Sequence, residues 1–298
     1  MPNTLSEKTF HDVPPAQREE WQAFHAAHPP VKLATRGYTW NYLLSGQGEE
    51  TLVLLTGGLN SSEVWFKIIS AFEKTYRVIA VRYPNVATLA EVVEGVIAIL
   101  DAEQIQRAHI LGESLGGMVA QSLVRRYPDR VASMILASTA APVATQVPRM
   151  KRLKLLVRLM PAGVLRSLSV KRVLSLLIGM PADERAFWQA FLTEQVMLYA
   201  TKSWLISQYK LLVDYCEHYH FTPEDLAQWT RPVLILAADN DEIVQRIAPG
   251  SLARYYPRAS IHIFHEAGHS PPLTKRQEYI EVVQEFLQAN QQAHASQG

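Results

Sequence analysis

Three features of the sequence predict an α/β domain built on one doubly wound, mostly parallel sheet. Six short apolar runs carry almost no internal charge, as strands covered on both faces require. Helical periodicity fills the intervals between most of them, and such alternation implies parallel crossovers. A serine stands between glycines in Gly112-Glu113-Ser114-Leu115-Gly116, where one apolar run gives way to a helical pattern.

The bulk composition suits such a domain. The chain has 298 residues, 48% apolar and 19% charged, enough to bury a sizeable core. A net charge of +1 argues against a nucleic-acid binder. Cys216 is the only cysteine, which excludes an internal disulfide and a thiolate metal cluster. Met1–Lys8 has no basic stretch leading into an apolar one, and no apolar run is long enough for a bilayer. The expectation is a soluble, cytoplasmic protein.

In chain order, residues 1–30 form an N-terminal extension whose first dozen residues look unanchored. Pro15–His28 then places Trp21, Phe24 and Ala27 on one helical side. Alternation on either side of Arg36-Gly37 predicts an antiparallel hairpin over 31–44. The six apolar runs follow at 51–55, 77–81, 109–111, 131–136, 232–236 and 261–264. Helices are expected at 62–74, 88–102, 115–127, 243–256 and 275–290. Between the fourth and fifth runs lies an interval far longer than a connection needs, with four helical patterns parted by Pro161 and Pro181. It reads as a helical cap, residues 141–221, inserted after the strand at 131–138. Residues 31–140 and 222–290 make the core, which restarts at Thr222-Pro223-Glu224-Asp225 with a capped helix. Residues 291–298 read as a disordered tail.

The glycines around Ser114 have a steric purpose. A strand that turns at once into a helix leaves no room for flanking side chains, and the turn presents the hydroxyl beside free helix N–H groups. A serine hydroxyl is a poor nucleophile until a base takes its proton, and the base needs an orienting acid. Both belong in loops at strand carboxyl ends. The fifth run ends in Asp239-Asn240-Asp241-Glu242 and the sixth in His265-Glu266-Ala267-Gly268-His269-Ser270-Pro271, so the order is serine, acid, histidine.

On these three motifs the chain, from about Tyr38 to Leu287, resembles the α/β-hydrolase superfamily in its serine-nucleophile branch with a helical cap. The resemblance implies Ser114 as nucleophile, His269 as general base and Asp241 as orienting acid. It also implies an oxyanion hole of two backbone amides, those of Gly58 and Leu115. The oxyanion loop of that family usually begins His-Gly, whereas this chain has Thr56-Gly57-Gly58-Leu59-Asn60. Backbone donors survive that change, but Thr56 alters how the loop is braced. In Gly57–Ser62, and in the short stretch Arg82–Asn85, the chain is similar to maspardin-like members, some of which bind rather than catalyse.

Several residues have rivals. Asp239 competes with Asp241, although an aspartate at a strand end can simply cap the next helix. His262 falls within a strand's alternation, and His265 is a candidate supporting residue beside the glycine-flanked His269. Glu113 reads as pointing away from the chemistry and making structural hydrogen bonds. Asp214, Cys216, His218 and His220 are metal-friendly types, but helical spacing splits them between two faces, so a polar helix end is preferred. Arg149, Lys151, Arg152, Lys154, Arg158, Arg166, Lys171 and Arg172 have no acid among them. Such a basic amphipathic segment can lie on an anionic membrane; the preferred reading is the solvated face of a cap whose Leu153, Leu156, Val157 and Met160 cover a pocket.

The function expected is therefore hydrolysis of a small carboxylic ester or related acyl substrate, with neither metal nor organic cofactor. Leu59, Met160, Trp188 and Trp204 are the candidate pocket residues, and their character suggests an apolar substrate. Acyl transfer, C–C hydrolysis or lyase chemistry with the same triad stays open, as does a non-catalytic binding protein on this fold. A carboxylate-nucleophile chemistry is disfavoured by the serine itself.

Overall fold

The structure, a computed structural model, describes residues 9–247 and 252–295. Helix α1 (Pro15–Ala27) leads into a hairpin of β1 (Val31–Thr35) and β2 (Tyr38–Ser45) turned at Arg36-Gly37, both at positive φ. Strand β3 (Thr51–Leu55) is followed by α2 (Phe66–Phe72), β4 (Arg77–Arg82) and α3 (Leu89–Ala102). A Thr88–Glu91 capping box starts α3. Next come β5 (Ala108–Glu113), α4 (Leu115–Arg126) and β6 (Val131–Ala137). Four helices then intervene: α5 (Val147–Leu159), α6 (Ala162–Leu174), α7 (Ala182–Tyr199) and α8 (Lys202–His218). The chain closes with β7 (Val233–Ala238), α9 (Glu242–Ile247), β8 (Ser260–Phe264), α10 (Pro271–Thr274) and α11 (Arg276–Ala295).

The strands form one eight-stranded sheet in the order β1-β2-β4-β3-β5-β6-β7-β8. Strand β2 runs antiparallel to both its neighbours, and every pairing from β4 to β8 is parallel. Alternate residues divide the core between the two faces, as a period of two demands. Val53, Leu55, Ile79, Val81, Ile110 and Leu136 pack under α3 and α4 together with Trp204 and Tyr215 of α8. Leu52, Leu54, Val78, Ala80, Leu111 and Ile135 face the opposite layer, where α1, α2, α7 and α11 lie.

Four segments differ from expectation. Residues 1–8 lie outside the described residues, but Phe10, one of the dozen expected to be unanchored, is buried. Phe10 sets its ring edge-on to Phe187 with centroids 6.2 Å apart, which removes both from water. Residues 291–295, read as tail, continue α11, and the Gln291 side chain donates to Glu50 beside the sheet; residues 296–298 lie outside the described residues. The single helix expected over 243–256 is instead α9 and a 3₁₀ turn at Leu252–Tyr255, with 248–251 outside the described residues. Thr222 caps a 3₁₀ turn, Pro223–Leu226, rather than an α-helix. Among the described residues no helix is long and apolar enough to cross a membrane.

Candidate active site

The turn from β5 to α4 is as tight as the glycines require. A Cβ on Gly112 would lie 2.3 Å from the carbonyl oxygen of Gly116, and one on Gly116 would lie 2.0 Å from that of Leu55. Ser114 itself sits at φ 54°, ψ −114°, a conformation that costs a non-glycine residue about 1–3 kcal/mol. Neighbouring β6 holds it there: the Ser114 amide donates to the Ala137 carbonyl at 2.9 Å, and Thr139 Oγ1 donates to the Ser114 carbonyl at 2.7 Å.

The strand-end loops of β7 and β8 bring His269 to Ser114. His269 Nε2 lies 3.1 Å from Ser114 Oγ, and Nδ1 lies 2.9 Å from each Asp241 carboxylate oxygen. A carboxylate only accepts, so Nδ1 carries the proton and Nε2 is left to accept from the serine hydroxyl. Asp241 is buried and accepts in turn from the amides of Ile243 (3.0 Å) and Val244 (3.1 Å) at the start of α9. The rival Asp239 faces elsewhere. It accepts from the Glu266 amide and His265 Nδ1, each at 2.9 Å, and the Glu266 amide chiefly, then His265, hold its carboxyl below the ordinary range. Asn240 Oδ1 accepts from Gly268 at 2.8 Å, so Asp239 and Asn240 shape the loop that carries His269. His262 pairs with Glu278 at the surface and takes no part.

Thr56 and Asn60 brace the loop 56–60 that follows β3. Thr56 Oγ1 donates to the Val81 carbonyl at 3.2 Å. The Asn60 side chain bonds both the amide and the carbonyl of Tyr83 at 2.8 Å, and Tyr83 donates its hydroxyl back to the Thr56 carbonyl at 3.2 Å. Asn60 has φ 55°, a left-handed conformation that asparagine tolerates well. Among the described residues, neither the Gly58 nor the Leu115 amide has a hydrogen-bond partner.

A cavity of about 330 Å³ rises from these groups into the inserted helices. Leu59 and Met160 line it, with Leu153, Leu156 and Val157. Trp188 and Trp204 do not. Trp188 is buried among Phe66, Phe187 and Phe191, where its ring gains more packing than a cavity wall offers, and donates to Glu184 at 3.1 Å. Trp204 is buried and donates its indole N–H to the Gly58 carbonyl at 3.0 Å. Sequence reasoning missed Gln208, one helical turn on from Trp204 and therefore on the same face. It borders the cavity so closely that a Cβ on Gly58 would meet its Nε2 at 1.9 Å. Glu113 also lines the cavity while accepting from Ser270 Oγ at 2.7 Å, and burial pushes its carboxyl above the ordinary value.

The metal-friendly group stays apart from this site. Asp214 accepts from the Leu89 amide at 2.8 Å, and its other oxygen lies 3.0 Å from His218 Nδ1. Among the described residues, no group of three or more His, Cys, Asp or Glu side chains could hold a metal ion.

Comparison with known proteins agrees with this architecture. A 2-hydroxy-6-oxononadienedioate/2-hydroxy-6-oxononatrienedioate hydrolase of Paraburkholderia phymatum is 26% identical over 272 residues, covering 83% of this chain and 90% of that protein. A pimeloyl-[acyl-carrier protein] methyl ester esterase of Aliivibrio salmonicida is 24% identical, covering 82% of this chain and 94% of that one. The crystal structure of a hydrolase from Pseudomonas aeruginosa superposes with a TM-score of 0.71 at 23% identity, covering 87% of this chain and 98% of that one. The model of the alpha/beta hydrolase family matches residues 52–282, well over half of the chain, and the protein therefore belongs to that family.

Proposed function

We propose that the protein is a serine hydrolase of carboxylic esters with an apolar acyl part. The observation that supports this most is the unbroken hydrogen-bonded path from Ser114 Oγ through His269 to Asp241, at the floor of an apolar cavity. Ser114 Oγ attacks the ester carbonyl as His269 Nε2 takes its proton. Asp241 stabilises the imidazolium, and the Gly58 and Leu115 amides receive the negative oxygen. Such a donor is typically worth about 3–4 kcal/mol in the transition state. His269 then returns the proton to the departing alkoxide, leaving an acyl-enzyme. A water molecule, deprotonated by His269 in its turn, releases the acid and restores Ser114. Residues 141–221 act as the cap that shapes the acyl site over a core of 31–140 and 222–290.

An ester fits the cavity better than the dicarboxylate after which the Paraburkholderia relative is named. Among the described lining residues Arg172 is the one arginine or lysine, and most of the wall is Leu, Val, Ile and Met. Two carboxylates would lose hydration there with a single cation to meet them.

Fluorophosphonate labelling of wild type, Ser114→Ala and His269→Ala, beside hydrolysis of p-nitrophenyl esters of increasing chain length, tests the reading. The expected result is labelling of wild type alone, with turnover that depends on chain length. A folded wild type that neither labels nor turns over any ester would point to a binding protein instead.

A further inference from the structure

The inserted helices carry an outer surface that a solvated cap does not need. Helix α5 packs on α8 and α6 packs on α7, whereas α5 and α6 scarcely touch one another. The cavity lies between the two pairs, lined by Leu153, Leu156 and Val157 from one side and by Leu165, Leu168 and Val173 from the other. Leu156 and Leu168 are also about half exposed, at 47% and 49%, so they form its rim.

Outward of that rim, both helices expose apolar and basic side chains together. Arg152, Leu155, Leu156 and Leu159 share one face of α5 by their spacing, with Leu159 72% exposed. Val164 and Leu168 lead into Lys171 and Arg172 in the same way on α6. Residues 149–172 hold eight of the chain's 29 basic residues and none of its 28 acidic ones, so they carry +8 while the remainder sums to −7. Of those eight, only Lys151 lies within ion-pair distance of a carboxylate among the described residues, that of Glu217.

We propose that this face docks on an anionic lipid surface and that the cavity takes its acyl ester from that surface. The substrate half rests on the hydrolase reading; the docking half does not. Exposed leucines flanked by arginine and lysine match the two contributions a peripheral site needs, apolar insertion and attraction to acidic headgroups. The opposite charge of the remaining molecule turns this face, with the cavity mouth, toward the membrane. A second copy fits poorly, because pairing the face with itself would set +8 against +8. A nucleic acid would leave the leucines without a partner.

The full chain should co-sediment with vesicles of phosphatidylcholine mixed with phosphatidylglycerol at least about tenfold better than with phosphatidylcholine alone, and added salt should weaken it. Leu155→Ser with Leu159→Ser, and separately Arg152→Glu with Arg158→Glu, should each lower that partition about tenfold. Both pairs should hydrolyse p-nitrophenyl butyrate in vesicle-free buffer like wild type, which also reports that they are folded. Their hydrolysis of p-nitrophenyl dodecanoate held in the anionic vesicles should fall. Equal sedimentation with both vesicle types overturns the docking proposal, as does partition untouched by either pair. So does a wild-type dimer that Leu155→Ser with Leu159→Ser converts to monomer. Vesicle binding without hydrolysis of either ester overturns the hydrolase reading instead, and the substrate half with it.

Discussion

Trp204, on α8 of the inserted segment, donates its indole N–H to the carbonyl of Gly58 at 3.0 Å. The segment that forms the cavity roof thus also steadies the loop 56–60 on its floor, the proposed oxyanion loop. Trp204→Phe keeps most of the ring and leaves that carbonyl without its donor, a loss of about 1–3 kcal/mol. We expect kcat to fall roughly tenfold with KM changed less than about twofold, and Tm to fall by about 2–4 °C for each kcal/mol lost. Steady-state kinetics and thermal melts check both, and an unchanged kcat would separate the indole from the chemistry.

Ser114, the proposed nucleophile, holds a strained backbone conformation. Glycine adopts φ 54°, ψ −114° without a Cβ clash, whereas alanine does not. Ser114→Ala and Ser114→Gly should both lose turnover by about 10⁴-fold or more. Ser114→Gly should nevertheless be the more stable of the two, by about 1 kcal/mol after its extra unfolded-state entropy. Denaturant melts of the pair settle this, and a less stable glycine variant would mean that the elbow is relaxed.

Asp239 and Asp241 separate by what they touch. Asp241→Asn turns one carboxylate oxygen into an NH₂ that only donates, which favours the wrong His269 tautomer, and removes the negative charge beside the ring. The expected drop in kcat is about 10⁴-fold, with little change in Tm. Asp239→Asn disturbs only the loop contacts to Glu266 and His265, and activity should stay within about fivefold of wild type. Comparable losses in both would assign the orienting role to the loop rather than to one carboxylate.

Glu113 gives a dependence on pH of definite sign. Burial raises its carboxyl above 4.5, so between that value and the raised one the folded chain binds more protons than the unfolded chain. Its contribution to stability is therefore complete below 4.5 and is lost as pH rises through the raised value. Glu113→Gln keeps an acceptor for Ser270 Oγ and removes the titration. The Tm of the variant minus that of wild type should grow more positive from about pH 5 to about pH 8. A difference that is flat, or falls, over that range would sink the assignment.

Phe10 anchors a segment that looks loose in sequence. It is 1% exposed against Phe187, so Phe10→Ala should cost about 3 kcal/mol, read by denaturant unfolding, without altering catalysis. A change below about 0.5 kcal/mol would return this segment to the surface.

Much of the sheet was legible because strands buried on both faces need unbroken apolar runs, and each predicted run coincides with a strand to within about two residues. Ser114 and His269 were legible for a related reason, each standing in a turn at a strand end that carries glycine. Chain order put the acid in the loop after the fifth run without choosing between Asp239 and Asp241. Phe10 was misread because one aromatic in a polar stretch has no periodicity, and its partner Phe187 is remote in sequence. Trp188 and Trp204 were placed on the cavity wall because a helical pattern shows which residues are apolar, not which neighbours they meet.

The alternation of strands and helices, the glycine-flanked elbow and the order of serine, acid and histidine all follow from the amino-acid sequence alone. All of these are written in local sterics and hydrophobic period. It took the packed structure to show that Asp241 rather than Asp239 meets His269, that Trp204 and Asn60 brace the loop 56–60, and that α5 and α6 part around a cavity with leucines on its rim. Those outcomes depend on distances between residues far apart in the chain, set by how whole elements pack, and no local pattern carries them.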